Sequence, residues 1–302
     1  MAAAFDVYAY GVIASSTLHL LAHHFPAADG YAEIQKTYRM TGGEALNSSI
    51  VLRRLGLSVR LDGNWVGDTE EGRSLLETIK GFGIDAERLL VEPDGHGARE
   101  VVISDNGSRT IFGNYVALLS SERKWNIPRE SDIAAARIVC VDPPFGDESA
   151  AVGRIAESAG VPFVAIDCPY DSQLAMASAA VIVSGEYRNR AYPEIDVEAL
   201  IEEYRSRAAG LVVMTQGEGA VLFGRSGGHI ERLAAFDIET RETAGAGDAF
   251  RAGLIYGLLQ AYSDREAVRY AAAVAAIVCT RFPGVMDSPS PGEVKVMLDR
   301  CT

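Results

Sequence analysis

The residues best suited to do chemistry lie in one segment, Glu242–Phe250. Its three small residues, Gly245, Ala246 and Gly247, let the chain turn sharply just before the apolar, helix-compatible stretch Arg251–Gln260. The free amides of a first helical turn and the positive end of the helix dipole favour a phosphate or another anion. The segment therefore predicts an anion site at the start of a helix.

Asp248 would lie at that helix start, one side chain away from the anion. A carboxylate beside a phosphate is unfavourable unless it has a chemical role, such as accepting the proton of an attacking hydroxyl. Phosphoryl transfer needs in-line positioning and charge neutralisation, which backbone amides and Mg²⁺ can supply. An ordinary helix N-cap is the alternative interpretation, because Asp is common at that position.

The composition limits the partners of such a site. Asp and Glu outnumber Lys and Arg by 41 to 28, which gives a formal net charge of −13. A nucleic-acid partner is disfavoured, because its backbone needs a basic face. No apolar run is long enough to span a membrane, and the N-terminus lacks the basic region of a signal peptide. We expect a cytoplasmic protein without a membrane partner.

Strands and helices alternate along most of the chain. The predicted strands are Phe5–Ile13, Val59–Leu61, Ile138–Asp142, Pro162–Asp167, Val181–Ser184 and Leu211–Thr215. The predicted helices are Glu44–Leu55, about Thr69 to Phe82, Asp147–Ala159, about Asp196 to Ala209, and Arg251–Gln260. This alternation predicts an α/β fold, in which a parallel-rich central sheet is covered by helices on both faces. No linker divides the chain, so we expect a single domain over residues 1–302.

Two stretches rich in β-forming residues do not fit the alternation. They cover about residues 32–40 and 99–115, and the second is broken by the turn signal Asp105-Asn106-Gly107. We expect them to form a small separate sheet. Such a sheet beside the ligand-binding edge could act as a lid, and a surface hairpin without a function is the alternative.

Two glycine signatures resemble those of the ribokinase family, the phosphofructokinase-B type of carbohydrate and nucleoside kinases. The C-terminal signature, T-x-G-A-G-D-x-F-x-x-G, is matched by Thr243, Gly245, Ala246, Gly247, Asp248, Phe250 and Gly253. A second signature of the family is a pair of glycines that opens a helix and is followed, after three further residues, by Asn. The run from Gly42 to Asn47 matches it. The spacing also fits through Leu55-Gly56 and from Gly67-Asp68 to Gly72. The resemblance covers essentially the whole chain, and the two signatures stand in the family's order.

The resemblance implies roles for both signatures. Gly245, Ala246 and Gly247 would form the anion hole, and Asp248 would deprotonate the acceptor hydroxyl. Gly42, Gly43 and Asn47 would contact the acceptor. Glycines allow close approach of a hydroxyl-rich ligand, and an Asn amide can both donate to and accept from hydroxyls. A plain turn is the alternative for Gly42-Gly43.

The nucleotide side is less well marked. Thr215, Gly217 and Gly219 loosely resemble the family's T-x-G-x-x-G turn, with the second glycine one place early. A tight strand–turn–strand connection is the alternative. Thr243 would join these residues at the nucleotide. Ser263 and Glu266 predict a capping box for an Ala-rich helix that runs to about Arg281, and that helix resembles the one beside the adenine in the family.

The sequence departs from the family pattern at three places. Ser16 stands where the family usually has an Asp that binds two acceptor hydroxyls, so we expect an acceptor that differs from a common furanose or is held elsewhere. The N-x-x-E segment falls at residues 185–188, where neither end matches. Glu186 could still act on Mg²⁺ through water, or be an ordinary surface charge. Glu242 stands where Asp is commoner, so the sequence does not predict a neighbouring monovalent-cation site, and such a cation is only an optional cofactor.

These observations predict an ATP- and Mg²⁺-dependent kinase acting on a hydroxyl of a small sugar or sugar derivative. A nucleoside kinase of the same fold is the nearest alternative. A catalytically weak sugar- or nucleotide-binding protein is a rival from a different class. A dinucleotide-dependent oxidoreductase is disfavoured, because Gly11 alone follows the first strand. If the outlying strands pair between subunits, the protein forms a homodimer.

Overall fold

A large, mostly parallel sheet forms the body of the molecule. The computed structural model describes residues 3–105, 108–120 and 122–300. In these ranges the strands are, in chain order, β1 (Phe5–Gly11), β2 (Ala14–Leu21), β3 (Ile34–Gly42), β4 (Val59–Gly63), β5 (Val66–Gly67), β6 (Val91–Glu92), β7 (Ala98–Asp105), β8 (Ser108–Gly113), β9 (Ala136–Val141), β10 (Phe163–Ile166), β11 (Ala180–Val183), β12 (Leu211–Met214), β13 (Val221–Gly224) and β14 (Glu231–Leu233). The body sheet has the order β14-β13-β12-β11-β10-β9-β1-β4. The six strands β12, β11, β10, β9, β1 and β4 are parallel to one another. Strands β13 and β14 add an antiparallel edge next to β12. The parallel strands therefore end at the same edge, where loops can build a site.

Helices cover both faces of this sheet. In the described ranges they are α1 (Glu44–Arg54), α2 (Glu70–Gly81), α3 (Tyr115–Ser120), α4 (Glu130–Ala134), α5 (Asp147–Ala159), α6 (Gln173–Ala177), α7 (Gly185–Ala191), α8 (Val197–Arg205), α9 (Ala246–Leu259), α10 (Asp264–Cys279) and α11 (Pro291–Arg300). Helices α1, α2, α9 and α10 pack on the face that holds Val7 and Ala9. Helices α4, α5, α6 and α8 pack on the face that holds Tyr8 and Tyr10. The predicted α/β fold class, with its separate small sheet, is confirmed.

Two helix ends lie at the capping residues that the sequence predicts. Helix α5 covers the predicted range and ends at Gly160, whose φ of 67° is left-handed. Ser263 and Glu266 form the predicted capping box at the start of α10. Within the residues that the structure describes, no helix has the length and apolarity to cross a bilayer.

A second sheet lies apart from the body sheet, and we call it the lid sheet. Its order is β3-β2-β7-β8, with β2 antiparallel to β3, β2 parallel to β7, and β7 antiparallel to β8. The two predicted stretches supply β3, β7 and β8. Asn106 and Gly107, which carry the predicted turn signal, lie outside the described residues. Tyr115 begins α3, so the predicted stretch 99–115 runs past the end of β8.

Strand β2 was not predicted. The sequence analysis extended the first strand to Ile13 and assigned no strand to residues 14–21. The structure ends β1 at Gly11 and starts β2 at Ala14, so the chain passes from the body sheet to the lid sheet within two residues. No Pro or Asn marks this change of sheet, and Gly11 is the single glycine of the run.

The connection between β1 and β2 is held by buried polar side chains of the body. Val12 N donates to Asp142 Oδ2 at 2.9 Å. Ile13 N donates to Asn64 Oδ1, and Asn64 Nδ2 donates back to Ile13 O, both at 2.8 Å. Asp142 and Asn64 are fully buried. The root of the lid sheet is therefore fixed to the body.

Candidate active site

The start of α9 forms a small cradle of backbone amides. Gly245 is the N-cap with φ +77°, and a Cβ there would lie 2.2 Å from Val285 Cγ2, so this position requires glycine. Ala246 N donates to Thr243 O at 3.2 Å, and Ala249 N donates to Gly245 O at 2.9 Å. The N–H groups of Gly247 and Asp248 meet no acceptor among the described residues. A Cβ on Gly247 would also face open space. The segment of the predicted anion hole thus has two free amides at the start of α9.

The Asp248 carboxylate is held by a relay of side chains from the acceptor signature. Asn47 Nδ2 donates to Asp248 Oδ2 at 2.9 Å. Thr41 Oγ1 donates to Asn47 Oδ1 at the same distance, which fixes the orientation of the Asn47 amide. Gly245, not Asp248, is the helix N-cap, so the ordinary capping interpretation of Asp248 is wrong. The structure brings together the predicted base and a predicted acceptor residue from opposite ends of the chain.

The surroundings of Asp248 tune its protonation. Burial raises the pKa of Asp248 to about 7, and the nearby charges of Asp142 and Glu100 act in the same direction. The Arg251 guanidinium and the hydrogen bond from Asn47 oppose this rise. A carboxylate with a pKa near the working pH is well matched to general-base catalysis.

This pKa predicts an acidic limb in the rate profile. A base must be deprotonated to work, so kcat/KM should fall below about pH 7, by about tenfold per pH unit once the pH is well below the pKa. Steady-state rates at fixed free ATP between pH 5.5 and 8.5 would measure this limb. A flat profile down to pH 5.5 would contradict the assigned base.

Arg251 ties this helix to its neighbours. It is fully buried and forms an ion pair with Asp142, which is also fully buried. Its Nη2 donates to Glu44 O at 2.6 Å, and its Nε donates to Ser48 Oγ at 3.0 Å. Ser48 Oγ in turn donates to Asp248 O at 3.2 Å. One guanidinium therefore joins α9, α1 and the end of β9 directly behind Asp248.

The paired glycines lie where other backbone comes close. Gly43 is the N-cap of α1 with φ +85°, and a Cβ there would lie 2.3 Å from Val12 O. A Cβ on Gly42 would lie 2.3 Å from Glu100 Oε1, so this carboxylate sits directly over Gly42. Ser16 is buried in β2, paired in register with Met40 and Glu100. No hydrogen bond of the described residues joins Ser16 to Gly42, Gly43 or Asn47.

The predicted nucleotide turn connects two antiparallel strands, β12 and β13. Gly217 has φ +60°, and Gly219 N donates to Gln216 O at 2.9 Å, so the strand–turn–strand geometry is present. The turn also lies beside the start of α7, because a Cβ on Gly185 would be 3.3 Å from Thr215 O. The two nucleotide-side segments therefore meet at one edge of the sheet.

Thr243 and Glu186 share one partner from the lid sheet. Arg109 of β8 donates from Nη1 to Thr243 Oγ1 at 2.8 Å, and its Nη2 lies 3.5 Å from Glu186 Oε2. The Glu186 side chain is 74% exposed. A residue of the lid thus bridges the loop before the amide cradle and the first turn of α7.

Comparison with known proteins identifies the family. The sequence profile of the pfkB family carbohydrate kinases matches residues 21–290. The chain belongs to this family. Among its relatives, the ATP-dependent ribose-1-phosphate kinase of Halopiger xanaduensis is 29% identical over 283 residues, which cover 90% of this chain and 91% of that protein. The nucleoside kinase of Methanothermobacter thermautotrophicus is 27% identical, over 89% and 88% of the two chains.

Solved structures of the family share the fold over the whole chain. The structure of Arabidopsis thaliana ribokinase complexed with ribose and ATP superposes with a TM-score of 0.81 at 17% identity, over 99% of both chains. The predicted family is confirmed, as is the predicted enzyme class, an ATP-dependent carbohydrate or nucleoside kinase. The rival class, a binding protein without turnover, has no support from these matches.

In this pfkB-family kinase, Glu242 has an unusual buried carboxylate. Its Oε1 accepts from Thr243 N at 2.8 Å and from Ala244 N at 2.9 Å. Its Oε2 is buried and has no hydrogen-bond partner within the described part of the chain. Such an orphaned oxygen costs free energy unless a donor or a cation satisfies it. The free Oε2 of Glu242 is therefore suited to bind a cation at this loop.

Sequence reasoning missed several residues of the site. Arg251 is a lone charge in an otherwise apolar helical stretch, three residues after Asp248, and Asp142 directly follows an apolar strand. Both features were visible as signals of buried, paired charges. Glu100 and Arg109 carried no such signal, because alternating charges on exposed strands are ordinary.

Proposed function

We propose that this kinase transfers the terminal phosphoryl group of ATP to a hydroxyl of a small sugar or sugar derivative, with Asp248 as the general base. The observation that carries the proposal is the pairing of an oriented, buried carboxylate with free amides at the start of α9. Base and anion cradle belong to the same helical turn, so a hydroxyl and a phosphate can meet between them.

The reaction follows from this geometry. The acceptor hydroxyl gives its proton to Asp248 while its oxygen attacks the terminal phosphorus of ATP. The bond between that phosphorus and the bridging oxygen breaks, and ADP leaves with the bonding electrons. The N–H groups of Gly247 and Asp248 stabilise the charge on the transferred group. Asn47 keeps the Asp248 carboxylate aimed at the hydroxyl.

The relatives support a sugar-type acceptor without fixing its identity. One is named for ribose 1-phosphate and another for nucleosides, and a third was crystallised with ribose. A nucleoside acceptor therefore remains the alternative. We propose that Gly42, Gly43, Asn47 and Ser16 line the acceptor side, and that Thr215, Gly217, Gly219 and Thr243 line the nucleotide side. Ser16 offers one hydroxyl where a carboxylate would grip two, so other groups must hold part of the acceptor.

An acceptor panel tests the proposal. The protein is incubated with ATP, Mg²⁺ and matched sugars, sugar phosphates and nucleosides, and ADP release is measured. We expect release that depends on one acceptor class and on its free hydroxyl, as shown by a deoxy control. ATP turnover that no acceptor stimulates would contradict the proposed reaction.

Metal ions enter as proposed cofactors. Within the described ranges no cluster of three or more His, Cys, Asp or Glu side chains is suited to a metal. This fits Mg²⁺ that is carried mainly by the nucleotide's phosphates and water, with Glu186 as the nearby carboxylate. When bound, Mg²⁺ would neutralise phosphate charge. A monovalent cation at Glu242 Oε2 would stabilise the loop before the cradle, and replacing K⁺ by choline in the same assay tests it.

We further propose that residues 1–302 act as one cytoplasmic kinase domain. The unpaired thiols of Cys140, Cys168 and Cys279 suit a reducing compartment. A homodimer through the lid sheet is supported by apolar side chains that this sheet exposes, among them Phe112 at 55%. Sedimentation velocity would show a monomer if this assembly is wrong.

A further inference from the structure

The lid sheet places a cation at the nucleotide side of the cleft. Arg109 contacts Thr243 Oγ1 at 2.8 Å and lies 3.5 Å from Glu186 Oε2. Its side chain is 28% exposed, so solvent and a ligand can reach it. Thr243 is two residues before Gly245, the first residue of the cradle. The guanidinium is therefore held next to the space where a phosphate at the cradle would lie.

The negative charge around that space would repel a phosphate unless a cation such as Arg109 is present. Asp248, Glu242 and Glu186 all carry carboxylates close to the proposed path of the triphosphate, in a protein of net charge −13. Amides alone offer partial charges. Arg251 is fully buried and paired with Asp142, so it is not available to a ligand. Arg109 is a partly exposed cation that contacts Thr243, and its ion pair with Glu186 is exposed.

The present contacts of Arg109 are weak enough to exchange. An exposed ion pair at this distance contributes little to stability, and a hydroxyl is a neutral acceptor. A phosphoryl group offers charged oxygens that match the planar fork of a guanidinium. A bound triphosphate would therefore outcompete Glu186 for this side chain.

We infer that Arg109 binds the terminal phosphoryl group of the nucleotide and stabilises its charge during transfer. The inference rests on the proposed function and adds a residue to it. Because Arg109 belongs to the lid sheet, closing of the lid and neutralisation of the phosphate become one event. Thr243 and Glu186 position the Arg109 side chain beside the cradle.

Replacing Arg109 by Gln tests this role. We expect kcat to fall by about a hundred- to a thousand-fold, the usual cost of losing one donor to a developing anion. R39Q is the matched control, because Arg39 is also a lid arginine in an exposed ion pair, with Glu70 at 2.9 Å. R39Q should keep turnover within about twofold. Thermal unfolding of both variants checks that the lid remains folded, and R109K, which keeps the charge, gives a second variant.

Binding without turnover separates this inference from the proposed function. By calorimetry, R109Q should bind the non-hydrolysable analogue AMP-PNP about tenfold more weakly than the wild type, with ADP affected about twofold or less. Equal losses for AMP-PNP and ADP, or no loss, would overturn the role of Arg109 at the terminal phosphoryl group. If the wild type transfers phosphate to no acceptor, the proposed function fails, and the nucleotide comparison still decides the inference.

Discussion

Replacing Asp248 by Asn should lower turnover by about a hundred- to ten-thousand-fold while nucleotide binding persists. Asn has nearly the same shape, so it can still contact Asn47, but it cannot take a proton from the acceptor hydroxyl. Removing a negative charge beside the phosphates should leave the affinity for AMP-PNP unchanged or raise it. Turnover and calorimetric titration measured on the same preparation would show this separation.

D264N supplies the control for this change. Asp264 lies in the first turn of α10 and pairs with Arg225 at 2.7 Å, away from the cradle. The same Asp-to-Asn change there should keep turnover within about twofold. If D248N kept full turnover, or lost turnover only together with nucleotide binding, Asp248 would not be the base.

Replacing Arg251 by Met should have the largest effect on stability. The change leaves Asp142 buried without its partner, which typically costs about 3–5 kcal/mol in the free energy of unfolding. The pKa of Asp248 should rise further, because the Arg251 charge that opposes the effect of burial is gone. The acidic limb of kcat/KM should therefore move to higher pH. Denaturant unfolding and a pH profile of residual activity measure the two effects.

Two further variants test whether the effect of R251M comes from the buried ion pair. Adding D142N to R251M should recover part of the lost stability, because the buried uncompensated charge is removed while Val12 N keeps an acceptor. R265M, which breaks the exposed pair of Arg265 with Glu231, should cost about 1 kcal/mol or less. An R251M protein as stable as R265M, with an unshifted pH limb, would disprove the role of the buried pair.

The body of the fold was predictable because its signals are local. The alternation of apolar runs with helical stretches set out the body sheet, and α5 ends and α10 starts at the residues that their caps indicate. Strand β2 was missed for a physical reason: a strand that changes sheets without a turn residue looks like a continuation. Its membership is decided by pairing with β3, the next strand, and with β7, which lies far along the chain.

The site was predictable to the extent that backbone conformation restricts residue type. Gly43 and Gly245 must be glycine because of positive φ and close neighbours, and glycines required in this way can be recognised in the sequence. The partners of Asp248 and Arg251 are set by the packing of α1 against α9, which spacing alone does not reveal. The same holds for Arg109, whose position depends on how the lid sheet meets the body.

The two-residue link between β1 and β2 also determines which part of the cleft can move. Val12 and Ile13 are held by hydrogen bonds to Asp142 and Asn64, so the lid sheet is fixed to the body at its root, and its opposite end is the tip. The root adjoins Gly42 and Gly43, whereas Arg109 lies near the tip. We therefore expect the acceptor, beside the fixed root, to meet a wall that changes little, and the nucleotide, beside the tip, to meet the part of the lid that moves. On this proposal, substrate discrimination and product release depend on opposite ends of the same four strands.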